Sequence, residues 1–272
     1  TRQLLIAKGV APMQGIHETL NAVEDSANWR EVRSHILSDK HRYLLPAIPS
    51  SERRVLSESE SKRWLKRTNI KVPKGRSVSS HKLGEAAIEV GYPVVLKMIS
   101  SRLAHKTEAG AVVLNLEDED SLNRAVKKMK IDVTDYDPKA VSELFLLEAM
   151  SPNPLAELII NMRQDPQFGA ALVLGSGGVL VELLADSVTL LLPTRPVDII
   201  RAIKSLRVGR LLEGFRGRPA ADISKLAEEI YSLSIVYQEN KKTIAEIEIN
   251  PLFVYQTEVS AIDALIQVPV AK

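Results

Sequence analysis

The chain has 272 residues, 45% hydrophobic and 26% charged, with a formal net charge of +2; this is ordinary for one large globular domain or two small ones and does not indicate a polyanionic partner. It has no cysteine, which excludes disulfides, thiol catalysis and cysteine-bound zinc. No apolar run approaches the roughly 18 residues of a membrane-spanning helix, so we expect a cytoplasmic protein without a membrane partner.

The first predicted elements resemble the end of an α/β domain. Helical spacing of apolar residues within residues 4–8 predicts a helix that stops at Gly9. A short strand is predicted around Val10, and a second helix from about His17. Residues 46–56 then combine proline, serine and charged residues, a composition typical of a linker.

Two helices and a strand are predicted next. Ser57 and Glu60 have the S-x-x-E spacing of a capping box, so a helix should begin there and continue to about Asn69. A second helix fits residues 80–90, because Gly91 can adopt the left-handed conformation that ends a helix. The apolar run "PVVLKMI" that follows is typical of a buried strand.

The rest of the chain alternates strand and helix patterns. In chain order these are a strand "AVVLNL", a helix from about Ser121, strands over 141–150 and 156–165, a strand "AALVLGSGG", helices over 196–206 and 222–237, and a closing hairpin of "TIAEIEINPLFVY" with "VSAIDALIQV". The mixture of helices with adjacent, antiparallel-looking strands favours an α/β or α+β fold over a helical bundle or a β-sandwich.

Positive charge is concentrated early in the chain. Residues 30–76 hold thirteen Lys or Arg against five Asp or Glu. A solvated linker and helix face is the simpler interpretation. The alternative, a nucleic-acid surface, lacks an accompanying aromatic pattern or a recognisable binding module, so nucleic acid is not an expected partner.

Lys97 is the first candidate for chemistry, because it lies inside an apolar strand. A buried ammonium without a partner is costly, so a negatively charged partner is predicted. That partner can be a carboxylate in a structural ion pair. It can also be a phosphate, which lysine suits as a compact point charge.

His105 and Lys106 stand side by side in a polar stretch between two apolar strands. A histidine can carry a proton, ligate a metal or take a phosphoryl group on nitrogen, and Lys106 would favour anions nearby. Taken alone, a histidine in a surface loop is the simpler interpretation.

A third candidate site lies in "EIEIN", where the two-residue period of a strand puts Glu246, Glu248 and Asn250 on one face. Asp263 follows Asn250 by 13 residues, on the neighbouring strand of the hairpin. Carboxylate and amide oxygens suit Mg²⁺, which usually binds through one or two carboxylates plus substrate phosphates. The alternative is a solvated strand face with an amide that caps the turn before Pro251.

Glycines in "GSGG", residues 175–178, can let the backbone approach a phosphate. A tight turn is the simpler interpretation, because the lysine of a P-loop and the full G-x-G-x-x-G spacing are absent. There is no G-x-S-x-G, so serine hydrolase chemistry has no support.

Taken together, these segments resemble a known family. "GYPVVLKMISSRLAHKTEAGAV", "AELIINMRQDPQFGAALVLGSGGVLVELLADSV", "LLEGFRGRPAADI" and "IAEIEINPLFVY…AIDALI" occur in order and with spacing similar to the ATP-grasp module of NDP-forming acyl-CoA synthetases. This group includes ADP-forming acetyl-CoA synthetases and is related to the succinyl-CoA synthetase β subunit. The resemblance covers about residues 56–268. Residues 1–45 resemble the end of a flavodoxin-like CoA-ligase domain, which would make the chain the C-terminal part of a longer synthetase.

The resemblance implies a two-lobed ATP-grasp fold, of the α/β and α+β class, over residues 57–272. The lobes would meet near residues 147–155, and residues 46–56 would link the fold to the preceding domain. The implied reaction joins a small carboxylate to CoA while ATP becomes ADP and phosphate, through an acyl phosphate and a phosphohistidine. CoA would bind through CoA-binding and CoA-ligase domains on the same longer chain or a partner subunit. A homo-oligomer is expected.

Residue roles are also implied where the motifs match. The residues that would bind ATP are Lys97 at the phosphates, Glu148 near adenine and Glu157 near the ribose. The residues that would hold Mg²⁺ are Glu248, Asn250 and Asp263. The residues implied in catalysis are His105, as a phosphoryl relay on a mobile loop, and the recurrent acids Glu182 and Asp186.

The sequence departs from the family pattern at two places. "HKTEAGAV" has Glu108 and Ala111 where the family usually reads "HKTDxGGV", and "GSGG" replaces "GLGG". Alanine at position 111 predicts a stiffer loop. The alternative function is a non-catalytic, synthetase-like domain that binds nucleotide and senses a ligand, but the presence of the matched lysine, histidine and metal-site residues favours an enzyme.

Overall fold

The computed structural model describes residues 2–13, 15–38, 52–103, 106–178 and 186–270. The chain divides into two compact units, residues 1–43 and 44–272. In the first unit, helix α1 spans Arg2–Ala7 and helix α2 spans Ile16–Ser38. The predicted strand around Val10 is wrong, because the Val10 amide instead bonds to the Leu5 carbonyl at 2.9 Å and completes the end of α1.

The second unit contains eleven strands among its described residues. They are Arg53–Val55 (β1), Gly75–Ser79 (β2), Val94–Met98 (β3), Val112–Leu116 (β4), Leu144–Ala149 (β5), Ala156–Asp165 (β6), Gly169–Ser176 (β7), Ser187–Leu191 (β8), Glu246–Val254 (β9), Val259–Ala261 (β10) and Ala264–Pro269 (β11). Its described α-helices are Glu58–Leu65 (α3), Leu83–Val90 (α4), Glu119–Tyr136 (α5), Pro196–Ser205 (α6), Gly209–Leu212 (α7) and Ile223–Glu239 (α8).

These strands form two antiparallel sheets that define two lobes. The larger sheet has the order β1-β11-β9-β6-β7-β8, with β10 also paired to β9, and the smaller sheet has the order β2-β5-β3-β4. The chain leaves the smaller sheet at Ala149 and enters the larger one at Ala156. The larger lobe therefore takes strands from both ends of the unit, while the smaller lobe is built from one continuous segment.

Strand β9 of the larger sheet alternates between buried apolar residues and partly buried polar residues along "EIEIN". Ile160 of β6 and Ile249 of β9 are fully buried in one cluster with Ile230 of α8. Glu246 and Glu248, the alternate residues of β9, are only partly buried. This alternation confirms that the acidic residues of "EIEIN" share the face opposite the helix-packed core.

Most predicted elements are present, with shifted ends. The capping box of Ser57 and Glu60 is confirmed, but α3 stops at Leu65, before the predicted end near Asn69. The helix predicted from residue 80 begins as a 3-10 turn over Ser80–Lys82. Residues 53–55, in the stretch predicted as a linker, form strand β1 and pair with β11. Within the described ranges, no helix has the length and apolarity that crossing a membrane requires.

Candidate active site

Lys97 of β3 is buried and has the negative partners that the sequence predicts. Its ammonium donates to Oε1 of Glu58 and to the Ile262 carbonyl at 3.0 Å, and lies 3.0 Å from Oε2 of Glu148. Burial alone would lower its pKa, but Glu58, Glu148 and Asp263 outweigh burial and hold the pKa of Lys97 well above its ordinary value. The lysine is therefore charged, at the junction of the two sheets.

A second buried lysine, Lys62 of α3, shares the same partners. Its ammonium donates to Glu58 Oε1 at 2.9 Å, to Glu148 Oε1 at 2.6 Å and to the Ile262 carbonyl at 2.6 Å. Because Glu148 lies on the smaller sheet and Ile262 just before β11 of the larger one, Lys62 ties the two lobes together. Sequence reasoning missed this residue; the only signal was the i,i+4 spacing of Glu58 and Lys62.

Lys106 adds a third ammonium to this group. It donates to Oε2 of Glu58 at 2.6 Å and lies 3.7 Å from Oδ2 of Asp263. We call these six side chains the charge cluster; its members are Glu58, Lys62, Lys97, Lys106, Glu148 and Asp263. His105, the predicted phosphoryl relay, lies outside the described residues, so its role stays a prediction.

The carboxylates of the charge cluster differ in their ease of ionisation. Burial tends to raise the pKa of Glu58, but Lys62, Lys97 and Lys106 together hold it far below its usual range. Burial and the neighbouring charge of Glu58 raise the pKa of Asp263, against the opposing effect of the lysines. Glu58 is thus held in its ionised form, whereas Asp263 takes up a proton more easily than an ordinary aspartate does.

Ala111, the predicted stiffening residue, ends a compact turn. Its amide donates to the carbonyl of Lys106 at 2.8 Å, and its carbonyl accepts from the amide of Met98 at 2.9 Å. The alanine methyl is fully buried in the core of the smaller lobe. The turn needs its left-handed glycine at Gly110, where φ is +66°, one residue before the alanine.

Asn250 and Asp263, two of the residues predicted to hold a metal, are joined through their backbones. The Asn250 amide donates to the Asp263 carbonyl at 3.2 Å, and the Asn250 side-chain Oδ1 accepts from the Gly178 amide at 3.0 Å. Glu248 instead accepts a hydrogen bond from Asn161 Nδ2 at 3.1 Å, and the same nitrogen donates to Glu246 at 2.7 Å. Asn161 was not found from the sequence, because nothing local marks it as the partner of two glutamates.

This oxygen set fits a magnesium–nucleotide complex better than a metal bound by protein alone. The described residues contain no group of three or more His, Cys, Asp or Glu placed to hold a metal ion. One amide oxygen and one carboxylate are what Mg²⁺ needs when phosphates and water complete its six ligands. The lysines of the charge cluster, beside Asp263, suit the phosphates of the same ligand.

The glycines after β7 allow a close approach to Glu157. The Gly177 amide donates to the Glu157 carbonyl at 2.8 Å, and a Cβ at position 177 would lie 2.4 Å from the Leu158 carbonyl carbon. A Cβ on Gly178 would lie 1.9 Å from Oε2 of Glu157. Burial raises the pKa of Glu157. The first two residues of "GSGG" therefore end β7, and the two glycines that follow lie against two of the predicted site residues, Glu157 and Asn250.

Asp186 and Glu148 are both occupied by contacts within the protein. The Asp186 carboxylate accepts from Ser176 Oγ at 2.7 Å and from the amides of Arg207 and Val208 at 3.1 and 3.3 Å. Although burial opposes the shift, these donors lower the pKa of Asp186. Such contacts are those of a residue that positions the chain. Glu182 lies outside the described residues, and the catalytic roles predicted for both acids stay predictions.

Comparison with known proteins identifies the family to which this two-lobed fold belongs. A family model of the ATP-grasp domain matches residues 47–268. The β subunits of two ADP-forming acetate–CoA ligases of Pyrococcus furiosus, I and II, are 33% and 32% identical over 218 and 217 residues; these spans cover 79% and 78% of the chain and 92% and 90% of the subunits.

The chain is also similar to part of a longer ligase and to a solved structure. The ADP-forming 4-hydroxybutyrate–CoA ligase of Nitrosopumilus maritimus is 29% identical over 268 residues, which are 94% of this chain and 38% of that ligase. A dinucleotide-forming acetyl-coenzyme A synthetase of Candidatus Korarchaeum cryptofilum, solved with coenzyme A and Ca-AMPCP, superposes with a TM-score of 0.74. It is 32% identical, and the match covers 79% of this chain and 93% of that one.

Proposed function

The chain belongs to the ATP-grasp domain family, and we propose that it is the nucleotide-binding, phosphoryl-transferring part of an ADP-forming acyl-CoA synthetase. The observation that carries this proposal is the position of Lys97, which lies buried at the junction of two sheets, near the charge of Asp263 and in contact with the Ile262 carbonyl just before it. The ATP-grasp fold implies nucleotide and metal binding, and the matched β subunits belong to ADP-forming acetate–CoA ligases. A ligand-sensing domain without catalysis is not favoured by these relatives.

In this proposal the chain positions ATP and neutralises its phosphates. Lys97 contacts the phosphates, Glu157 the ribose, and Glu148 lies near the adenine. Phosphoryl transfer depends mainly on such positioning and charge neutralisation, because there is little covalent chemistry for the protein to perform.

Three oxygen-bearing side chains would hold the metal. Asn250 and Asp263 would bind the metal directly, and Glu248, whose carboxylate accepts a hydrogen bond from Asn161, would support the site from nearby. Bound Mg²⁺ neutralises charge on the phosphate oxygens. The raised pKa of Asp263 means that its negative charge, and so its use as a ligand, depends on pH.

His105 carries the phosphoryl group from ATP to the carboxylate substrate. A neutral ring nitrogen attacks the γ-phosphorus, the bond from that phosphorus to the bridging oxygen breaks, and ADP leaves. The phosphoryl group then passes from nitrogen to the carboxylate oxygen and gives an acyl phosphate. The CoA thiolate displaces phosphate from the acyl carbon, so the products are acyl-CoA, ADP and phosphate.

CoA-binding and CoA-ligase parts are needed for the second half of this reaction. They lie on the same longer chain or on a partner subunit. The two kinds of match support both arrangements, because the Pyrococcus furiosus relatives are separate β subunits and the Nitrosopumilus maritimus ligase is much longer than its matched region.

Labelling with γ-³²P ATP and Mg²⁺ tests the proposal on the full-length protein. We expect label that is labile to acid and stable to base, as phosphohistidine is, and we expect His105→Ala to abolish it. His81→Ala is the matched control, because His81 is a surface histidine of the smaller lobe whose only described side-chain partner is Ser79. Equal labelling of wild type and His105→Ala would refute the relay.

A further inference from the structure

Glu58 is the central anion of the charge cluster, and its position follows from the local sequence. The capping box of Ser57 and Glu60 fixes the start of α3, which puts Glu58 in the first turn. Its side chain is 5% exposed, whereas Glu60, two residues on, caps the helix in solvent. Burying a carboxylate is costly unless cations and hydrogen bonds offset the loss of water, and three lysines bond to Glu58.

The two oxygens of Glu58 are divided between different lysines. Oε1 accepts from Lys62 and Lys97, and Oε2 accepts from Lys106. Lys62 also has Glu148 and the Ile262 carbonyl as close partners. Among the described residues, the one other carboxylate that pairs with Lys106 is that of Asp263, at 3.7 Å. Glu58 is therefore the contact that brings Lys106 to Lys97.

We propose that Glu58 is a positioning residue of the phosphate site, which holds the ammonium groups of Lys97 and Lys106 together so that both face the phosphates of the nucleotide. This inference rests on the proposed function, because it takes Lys97 as a phosphate contact. Two ammonium groups repel each other unless an anion lies between them, and the repulsion is strong in a poorly hydrated site. Glu58 supplies that anion before the phosphates arrive.

The position of Glu58 distinguishes this role from simple stabilisation. Glu58 lies on α3, which packs beside β11 of the larger lobe. From there it contacts Lys97 of β3 and Lys106 of the turn that follows β3. A residue that only held the lobes together would affect every part of the nucleotide equally. A residue that arranges Lys97 and Lys106 affects the affinity for a nucleotide more strongly when that nucleotide carries more phosphates.

The test is calorimetric titration of Mg²⁺–ATP and of AMP into the full-length protein and its variants. We expect Glu58→Gln to weaken ATP binding about tenfold, as for the loss of one charge-assisted contact. AMP binding should change much less. Lys106→Met should cost a similar factor, and the Glu58→Gln/Lys106→Met double variant should bind ATP no more weakly than the weaker single variant, because both changes disrupt one arrangement. Glu60→Gln is the matched control on the same helix, and it should bind both nucleotides as the wild type does.

A second variant covers the case in which Glu58→Gln does not fold. Glu58→Asp keeps the charge but shortens the side chain, so one carboxylate no longer reaches both Lys97 and Lys106, and ATP affinity should again fall more than AMP affinity. The inference is overturned if the folded variants bind ATP as tightly as the wild type, if ATP and AMP are weakened equally, or if the losses of Glu58→Gln and Lys106→Met add.

Failure of the proposed function gives a different result. In that case the wild type itself does not bind Mg²⁺–ATP, or Lys97→Met binds it unchanged, and the role of Glu58 falls with it. If instead Lys97→Met loses affinity while Glu58→Gln keeps it, the function stands and only the positioning role is wrong.

Discussion

The backbone amide of Gly178 donates a hydrogen bond of 3.0 Å to Oδ1 of Asn250. This bond joins Gly177 and Gly178, the glycine turn that follows β7, to the polar face of β9, and the Gly177 amide bonds to the Glu157 carbonyl. Two residues predicted to contact different parts of a magnesium–nucleotide complex are therefore held by a single glycine turn. A change at the turn should disturb both.

Gly178→Ala should weaken nucleotide binding more than it weakens folding. Its φ of +62° is unfavourable for alanine, and the new Cβ would lie 1.9 Å from Oε2 of Glu157. The backbone strain should cost about 1–2 kcal/mol of unfolding free energy. Displacement of Glu157 should lower Mg²⁺–ATP affinity in addition. Gly217→Ala is the control, since Gly217 has φ +82° and a methyl group there would have no heavy atom within 4 Å. Urea unfolding and calorimetry should show equal strain in both variants and lost affinity only at position 178; equal affinities would contradict the role of the turn.

Lys62→Met should destabilise the protein strongly. The change leaves Glu58 and Glu148 buried with one cation fewer, and loss of one partner from a buried ion pair costs about 3–5 kcal/mol. Lys71→Met is the comparison, because the Lys71–Glu258 pair is well exposed, and exposed pairs contribute about 0–1 kcal/mol. Urea denaturation of both variants measures the difference. Similar losses for the two lysines would show that the burial of Lys62 is not what makes it important.

Asp263→Asn should stabilise the protein at neutral pH while it weakens Mg²⁺–ATP binding. Because the folded pKa of Asp263 is raised, its ionised form costs stability at neutral pH, and that cost disappears as the pH falls through the raised pKa. The variant's advantage in unfolding free energy should therefore be present at pH 7 and shrink in acid. Wild-type affinity for Mg²⁺–ATP should fall in the same acid range, above the ordinary carboxyl value of about 4. If Asp263→Asn were less stable than the wild type at pH 7, the ionised Asp263 carboxylate would stabilise the folded protein, which contradicts this prediction.

Asp186→Asn should destabilise the protein at neutral pH, the opposite of the effect expected for Asp263→Asn. The folded pKa of Asp186 is lowered, so its ionised form stabilises the protein above the unfolded-state pKa, and this contribution is lost as the pH falls below about 4. We expect a loss of about 0.5–1.5 kcal/mol at neutral pH, the usual net contribution of a hydrogen bond, because solvent screens this partly exposed carboxylate. Below pH 4 the two proteins should converge. If the folded variant lost all phosphorylation at an unchanged stability, Asp186 would be catalytic rather than structural.

The parts of the site that the sequence predicted are those with a local or an electrostatic signal. Ser57 and Glu60 have the spacing of a capping box, and this pattern depends on four neighbouring residues only. Lys97 in an apolar strand required a counter-ion whatever the fold. The alternation of "EIEIN" followed from the period of a strand. Each of these predictions is confirmed by the structure.

The residues that were missed depend on contacts between distant segments. Glu58 in the first turn of a helix is explained by the helix dipole, so nothing marks it as the partner of Lys97, 39 residues away. Lys62 meets Glu148 across 86 residues. The strand at residues 53–55 exists because β11 offers a free edge, and its own composition resembles a linker. Such pairings are set by topology, and no pattern within one segment records them.

The larger lobe also sets an order for folding during synthesis. Arg53 of β1 pairs with Pro269 of β11, and Lys62 bonds to the carbonyl of Ile262, 200 residues later in the chain. The smaller lobe lies between β2 and β5 and can form as soon as that continuous segment leaves the ribosome. The larger sheet cannot close until the last strand has been translated. Until then Lys62 of α3 lacks the carbonyl of Ile262, and Asn250 and Asp263 are not yet in place, so the nucleotide site is among the last parts of the molecule to be assembled.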